Sequence, residues 1–306
     1  MIGIYATLPP SPHTHGNPAQ GGQLNPEIAL NPQPKTDFGD GSDGDVVIAG
    51  TVGLSKDMQY GNLTVPAGGG VYPHGFVIRV KGKMTIAAGG AILGGGNIGQ
   101  DGSHEGLGPW AGGGINISAG CRTQIKPIAG GGGGDLDAAD GVANSAGGVA
   151  PAATLPYSAL FPLYFINGGG GGGGGSHGTN PTAGIAPVAP LVGPIGGNGG
   201  AGSGAGADKL YGAGGGGGGG YMEIHVNEID NAGMIYSNGG KGGEGVTVGA
   251  NKSGNGGGGA GGSVLLHYRL ASGAGLGSIT APGGAAGTAG NGGTAGANGI
   301  VQIIQG

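Results

Sequence analysis

The sequence predicts an all-β protein: irregular β-solenoid or sandwich strands combined with packed polyglycine-II helices, and essentially no α-helix. Three observations lead there. Eight glycines in a row, 168–175, follow the apolar segment LFPLYFIN, and seven more, 214–220, run into the strand-like YMEIHV. The runs are flanked by apolar residues rather than by serine or charge, so they do not read as slack linkers. Glycine is the one residue small enough to let backbones pack side by side, each three-residue turn bonding its N–H and C=O groups to neighbours. Finally, a strand-turn-strand pattern recurs along the chain, as rungs of a solenoid do.

Composition bounds the alternatives. The 306 residues hold 88 Gly and 19 Pro, about a third of the chain, a level that without a period signals low complexity. Solvated disorder needs charge, yet only 9% of residues are charged. Mean hydropathy is +0.04. Aromatics make up 5%, so main-chain packing has to replace much of an ordinary side-chain core. A net charge of -5 offers no basic stripe for nucleic acid. Cys121 is the sole cysteine and forms no intrachain disulfide. The start MIGIYATLPP has neither a basic nor a long apolar region, and Pro162 interrupts the longest apolar run, so neither a signal peptide nor membrane insertion is expected.

Three regions follow in order. Residues 1–36 form an extended arm, because Pro9, Pro10, Pro12, Pro18, Pro26, Pro32 and Pro34 prevent a long helix. In it His13 and His15 stand two apart, on one face of an extended chain. Three such pairs on a threefold axis would give six imidazoles, an octahedral site suited to iron or another transition metal. The alternative is two solvated histidines, and no cofactor is required by the rest of the chain. Residues 37–93 form a strand-rich β domain opened by FGDGSDGD, whose Asp40, Asp43 and Asp45 read as turn formers rather than as calcium ligands. In FVIRVKGKMTI the apolar positions alternate with period two.

Residues 94–306 form the glycine-rich body. FVIRVKGKMTIAAGGAILGGG at 76–96 aligns loosely with YMEIHVNEIDNAGMIYSNGG at 221–240. It aligns more weakly with 263–284, and as a bare strand with IVQIIQG at 300–306. Between copies the chain leaves on glycine-rich excursions near 94–114, 130–150, 168–220, 238–262 and 282–299. The tips of these excursions are less repetitive and carry most of the chemistry, including SHEGLGPWA, ADKLYGA and VTVGANKS.

Catalytic signals are weak. GGSHG at 174–178 matches a nucleophile elbow around Ser176, but no helix is predicted to follow it. Asp135, Asp137 and Asp140 follow a glycine run, with Asp137 where a calcium-binding repeat has an apolar residue. Glu223 and Glu228 differ by an odd number and are expected on opposite strand faces, which disfavours an acid/base pair. His74, His104, His177, His225 and His267 read as scattered. The chain is not expected to be an enzyme.

The run FGDGSDGDVVIAGTVGLSKDMQYGNLTV, continuing through FVIRVKGKMTIAAGGAIL into glycine excursions, resembles glycine-rich virion proteins of tailed bacteriophages. The segments DGSDGDVVI and LSKDMQYGNLTV are its most specific part. HTHGNPAQGGQL resembles N-terminal segments of phage tail and fibre proteins, in which His-x-His motifs hold iron on a threefold axis. The glycine runs are similar to those of tail-fibre tip adhesins of T-even-like phages, although here strand repeats separate the runs.

The resemblance implies a structural protein of the virion surface, assembled in the host cytoplasm. The first reading is a host-recognition fibre or adhesin; the alternative is a capsid decoration or head-fibre protein without receptor binding. Attachment to other phage structural proteins falls to the arm, with Pro12, His13, His15, Leu24, Ile28 and Leu30. A host surface glycan or protein would meet Trp110, His104, Glu105, Tyr157, Phe161, Tyr164, Lys209 and Tyr211, whose rings and polar groups suit such contacts. Phe161 and Tyr164 suit a subunit interface equally well. A homotrimer is expected, since closed symmetry removes the hazard of open sheet edges.

Overall fold

A computed structural model describes residues 38–95, 98–99, 101 and 210–306. Residues 1–37 lie outside the described residues. Thirteen strands and no helix occur among the described residues. They are β1 (Gly44–Val47), β2 (Thr51–Gly53), β3 (Met58–Val65), β4 (Gly70–Tyr72), β5 (Val77–Ile86), β6 (Ala91–Leu93) and β7 (Tyr221–Asn231). The remainder are β8 (Met234–Tyr236), β9 (Thr247–Val248), β10 (Asn251–Lys252), β11 (Ser263–Ala271), β12 (Ser278–Thr280) and β13 (Ile300–Gln305).

Two parallel sheets share these strands almost alternately. One has the order β1-β3-β5-β7-β11-β13 and the other β12-β8-β6-β4-β2. Parallel neighbours need a long crossover. Here a short corner leads to the second sheet, and after β8 and β12 glycine-rich chain brings the backbone back. The copies aligned in the sequence are neighbours in register: Ile78 pairs with Ile224, Ile224 with Leu266, and Leu266 with Ile303. The first sheet is continuous across residues 93/94, because β5 pairs directly with β7.

The core lies between the sheets. Leu63, Ile78, Val80, Met84, Ile224, Val226 and Leu266 from the first sheet meet Val71, Ile92 and Ile235 from the second, all fully buried. Each such side chain contributes about 1.5–3 kcal/mol by leaving water. Because Val71, Ile92, Ile235 and Ile279 stand in register, like side chains stack from strand to strand. The corners stack too. Gly68 donates its N–H to the Gly89 carbonyl, and both glycines have positive φ (78° and 85°). A β-carbon at Gly68 would meet nothing within 4 Å, so backbone conformation rather than space selects glycine there.

The glycine-rich segments obey a different rule. Residues 214–220 are buried throughout although they belong to neither sheet. Their hydrogen bonds repeat every third residue. Gly240 and Gly243 donate to Gly217 and Gly214, while Gly256, Gly259 and Gly262 donate to Gly243, Gly240 and Ser237. In the intervening register Gly258 and Gly261 donate to Thr294 and Ala297, and the Gly257 and Ala260 carbonyls accept from Gly216 and Gly219. The stretch 253–262 therefore bonds to several neighbouring segments at once. Contact is close enough that a β-carbon on Gly256 would fall 2.0 Å from the Gly214 oxygen.

Side chains close this array. Ser237 Oγ donates to the carbonyls of Gly220 and Gly94. Asn255 Oδ1 accepts from the Gly245 and Gly290 amides at 2.9 and 2.7 Å. The tip read from VTVGANKS is a small antiparallel hairpin, β9 paired with β10, turning at Gly249 with φ 59°.

Candidate functional site

Alternation along the first sheet turns one row of polar side chains outward. Gln59, Arg79, His225 and His267 occupy matched positions on β3, β5, β7 and β11, and Ile304 of β13 continues the row. Residues 38–43 cross its outer side. A β-carbon on Gly39 would lie 2.8 Å from Arg79 Cβ, the Asp40 amide donates to Gln59 Oε1 at 3.2 Å, and the Phe38 ring lies 5.1 Å from that of His267.

At the centre of the row is a relay of short contacts. Tyr221 donates its hydroxyl to Glu223 Oε2 at 2.7 Å, and His225 Nε2 meets Glu223 Oε1 at 2.7 Å. His225 Nδ1 lies 3.4 Å from His267 Nδ1, the rings standing edge to face at 83°. His225 is only 8% exposed. Burial pushes the Glu223 carboxyl upward, but hydrogen bonds from His225 and Tyr221, with the charges of His225 and Arg79, outweigh it and hold the group below its ordinary range. Glu223 is therefore an anion that orients His225.

This grouping corrects two sequence expectations. His225 and His267 are not scattered: parallel register converts the same place in successive copies, IHV and LHY, into adjacency. Arg79 holds that place one copy earlier, so the repeat alignment already carried the signal. Glu223 and Glu228 do not lie on opposite faces. Val226 and Ile229 both enter the core, so alternation breaks between them and both glutamates turn outward. They still do not form an acid/base pair. Glu228 Oε1 accepts from Ser272 Oγ at 2.6 Å and pairs with Lys83 at 3.4 Å, while Lys83 also reaches Asp230 at 3.0 Å.

The other predicted residues fall as follows. Asp40 accepts from the Ser42 amide, Asp43 from Lys56 and the Gln59 amide, and Asp45 from the amide and side chain of Asn62. The three carboxylates thus serve separate turn and strand contacts. Tyr211 is half-buried beside Leu210, which is fully buried. His13, His15, Pro12, Leu24, Ile28, Leu30, His104, Glu105, Trp110, Asp135, Asp137, Asp140, Tyr157, Phe161, Tyr164, Ser176, His177 and Lys209 lie outside the described residues. Among the described residues, no three His, Cys, Asp or Glu side chains gather as a metal site.

A second outer feature was missed because it needs the other sheet's register. Leu93 pairs with Tyr236 across β6 and β8, and Tyr72 follows Val71, which pairs with Ile92, on β4. His74 stacks on Tyr72 at 6.1 Å and holds a left-handed backbone, φ 53°. No protein-family profile matches the chain, and no curated protein or solved structure matches it either.

Proposed function

We propose that the chain is a structural protein of a phage virion, a surface fibre or adhesin that recognises the host cell, and not an enzyme. In this reading residues 1–36 grip other virion proteins, with His13 and His15 as candidate iron ligands. Residues 37–93 begin a β-solenoid, and 94–306 continue it with excursions built of packed polyglycine-II helices. Three copies assemble around the arm.

The observation that carries the reading is the three-residue spacing of donors among 214–220, 237–245 and 253–262. Polyglycine-II helices repeat every three residues and bond to neighbours rather than to themselves. No glycine in those stretches has a positive φ, so what glycine supplies there is the missing side chain. A body bonded this way resists unfolding with little charge and few aromatics, a property suited to a particle surface. The sequence resemblance supports the phage assignment.

Purified protein added to host cells tests it. Specific adsorption that blocks infection supports the adhesin. Binding to capsids alone supports the decoration protein instead, and binding to neither overturns both.

A further inference from the structure

We propose that His225 and His267 form a binding site for a divalent transition metal, with zinc as the reference ion, that clips β7 to β11 on the outer face of the first sheet. The inference does not rest on the virion role. Zinc holds imidazole nitrogen at about 2.0–2.1 Å, and two such ligands at a tetrahedral angle stand about 3.3–3.4 Å apart. The two Nδ1 atoms are 3.4 Å apart before any movement.

Protonation suits the role as well. Glu223 is a carboxylate and accepts only, so His225 donates from Nε2 and keeps its lone pair on Nδ1, facing His267. A carboxylate behind a ligating histidine fixes its tautomer and ring orientation. Tyr221 in turn fixes the carboxylate by bonding its other oxygen. His225 is nearly buried, so its ring is held in place rather than swinging in solvent. The Arg79 guanidinium is the opposing charge, one strand away from His225, and Glu223 lies in its field. Two histidines leave two tetrahedral positions for water. The bonds formed are two Nδ1–metal bonds in exchange for two metal-bound waters and for the Nδ1–Nδ1 hydrogen bond, the His267 proton passing from Nδ1 to Nε2 through solvent, with no redox step. Imidazole donors select zinc, nickel and copper over magnesium and calcium.

The test titrates the full chain with zinc chloride near neutral pH. Saturable binding of one zinc per chain is expected, and magnesium should not compete. His225→Gln and His267→Gln should each weaken zinc binding about tenfold or more, and Glu223→Gln by about tenfold. A His13→Gln/His15→Gln double variant keeps this site, which separates it from any site in the arm. In the unmodified chain the imidazole nitrogen resonances of His225 and His267 should shift on zinc addition, a reading that needs no variant to fold. Unmoved resonances, undiminished binding in the His225→Gln/His267→Gln variant, or binding lost only with His13 and His15 would overturn the proposal.

Discussion

Replacing Gly259 by alanine adds one methyl group where the packing leaves no room for it. The new β-carbon would stand 2.0 Å from the Gly217 oxygen and 2.9 Å from that of Gly216, whereas real β-carbons essentially never approach other atoms below 3.0 Å. The facing segment must retreat by about 1 Å, roughly a third of an ordinary contact distance. Gly217 O accepts from Gly240 N at 2.7 Å, so a retreat of that size ends this hydrogen bond, and the neighbouring bond from Gly216 N to Gly257 O, 2.9 Å, is strained with it. Two buried main-chain bonds at about 1 kcal/mol each, with about 2 kcal/mol of overpacking strain, give a cost of about 4 kcal/mol. Thermal unfolding followed by far-UV circular dichroism should show Tm lowered by about 8–16 °C.

Two controls sharpen the result. Ala260, the next residue, already buries its methyl completely, so Ala260→Gly should cost no more than about 1 kcal/mol. Gly50 would meet nothing within 4 Å, and Gly50→Ala should change stability by about 0.5 kcal/mol in either direction. If Gly259→Ala melts with the parent and the Gly50 variant, the close packing of the glycine segments is refuted.

Other expectations follow from particular contacts. Asn231, fully buried at a corner, donates to the Leu276 carbonyl at 2.7 Å and accepts from the Gly233 amide at 3.0 Å. Asn231→Ala should cost about 2 kcal/mol, read as a lower urea midpoint with unchanged slope. Glu244 bonds first to the Lys241 ammonium; burial opposes this, and the Thr288 and Ala289 amides reinforce it, so its pKa falls from 4.5 to about 2. A carboxylate depressed on folding contributes stability above its ordinary pKa and loses it as pH falls through the folded value. Parent protein should therefore lose Tm faster than Glu244→Gln as pH falls from about 4.5 to about 2, with the two curves parallel near neutrality. An equal slope in the acid range would show that the Glu244 contacts do not form in solution.

Much of the strand framework was readable in the sequence. Period-two alternation in FVIRVKGKMTI and glycine corners such as AAGG marked each copy, and the observed register joins those copies as neighbours. The candidate site was harder to read because it exists only between copies. His225 and His267 lie 42 residues apart and meet through strand pairing. The error over Glu223 and Glu228 has a local cause. β7 is one residue shorter than β5 between the pairs Val80/Val226 and Met84/Ile229, so parity slips on β7 while β5 stays in phase, and no composition signal marks the slip. The turn role of Asp40 and Asp43 was legible because Asp-Gly steps form turns whatever packs above them, whereas Asp45 lies in β1 and accepts from Asn62 across the strand pair. The run at 214–220 is buried and bonded main chain to main chain, while 168–175 lies outside the described residues; the partners of 214–220 depend on long-range contacts that no local pattern encodes.

The central claim is that main chain packed on main chain holds the glycine segments, and amide hydrogen exchange measures it most directly. Amides of 214–220 and 254–262 should be protected to a degree comparable with those of β7, since Gly216, Gly219, Gly256 and Gly259 donate to buried carbonyls. Exchange in these segments as fast as in an unstructured glycine peptide, while β7 stays protected, would contradict the account.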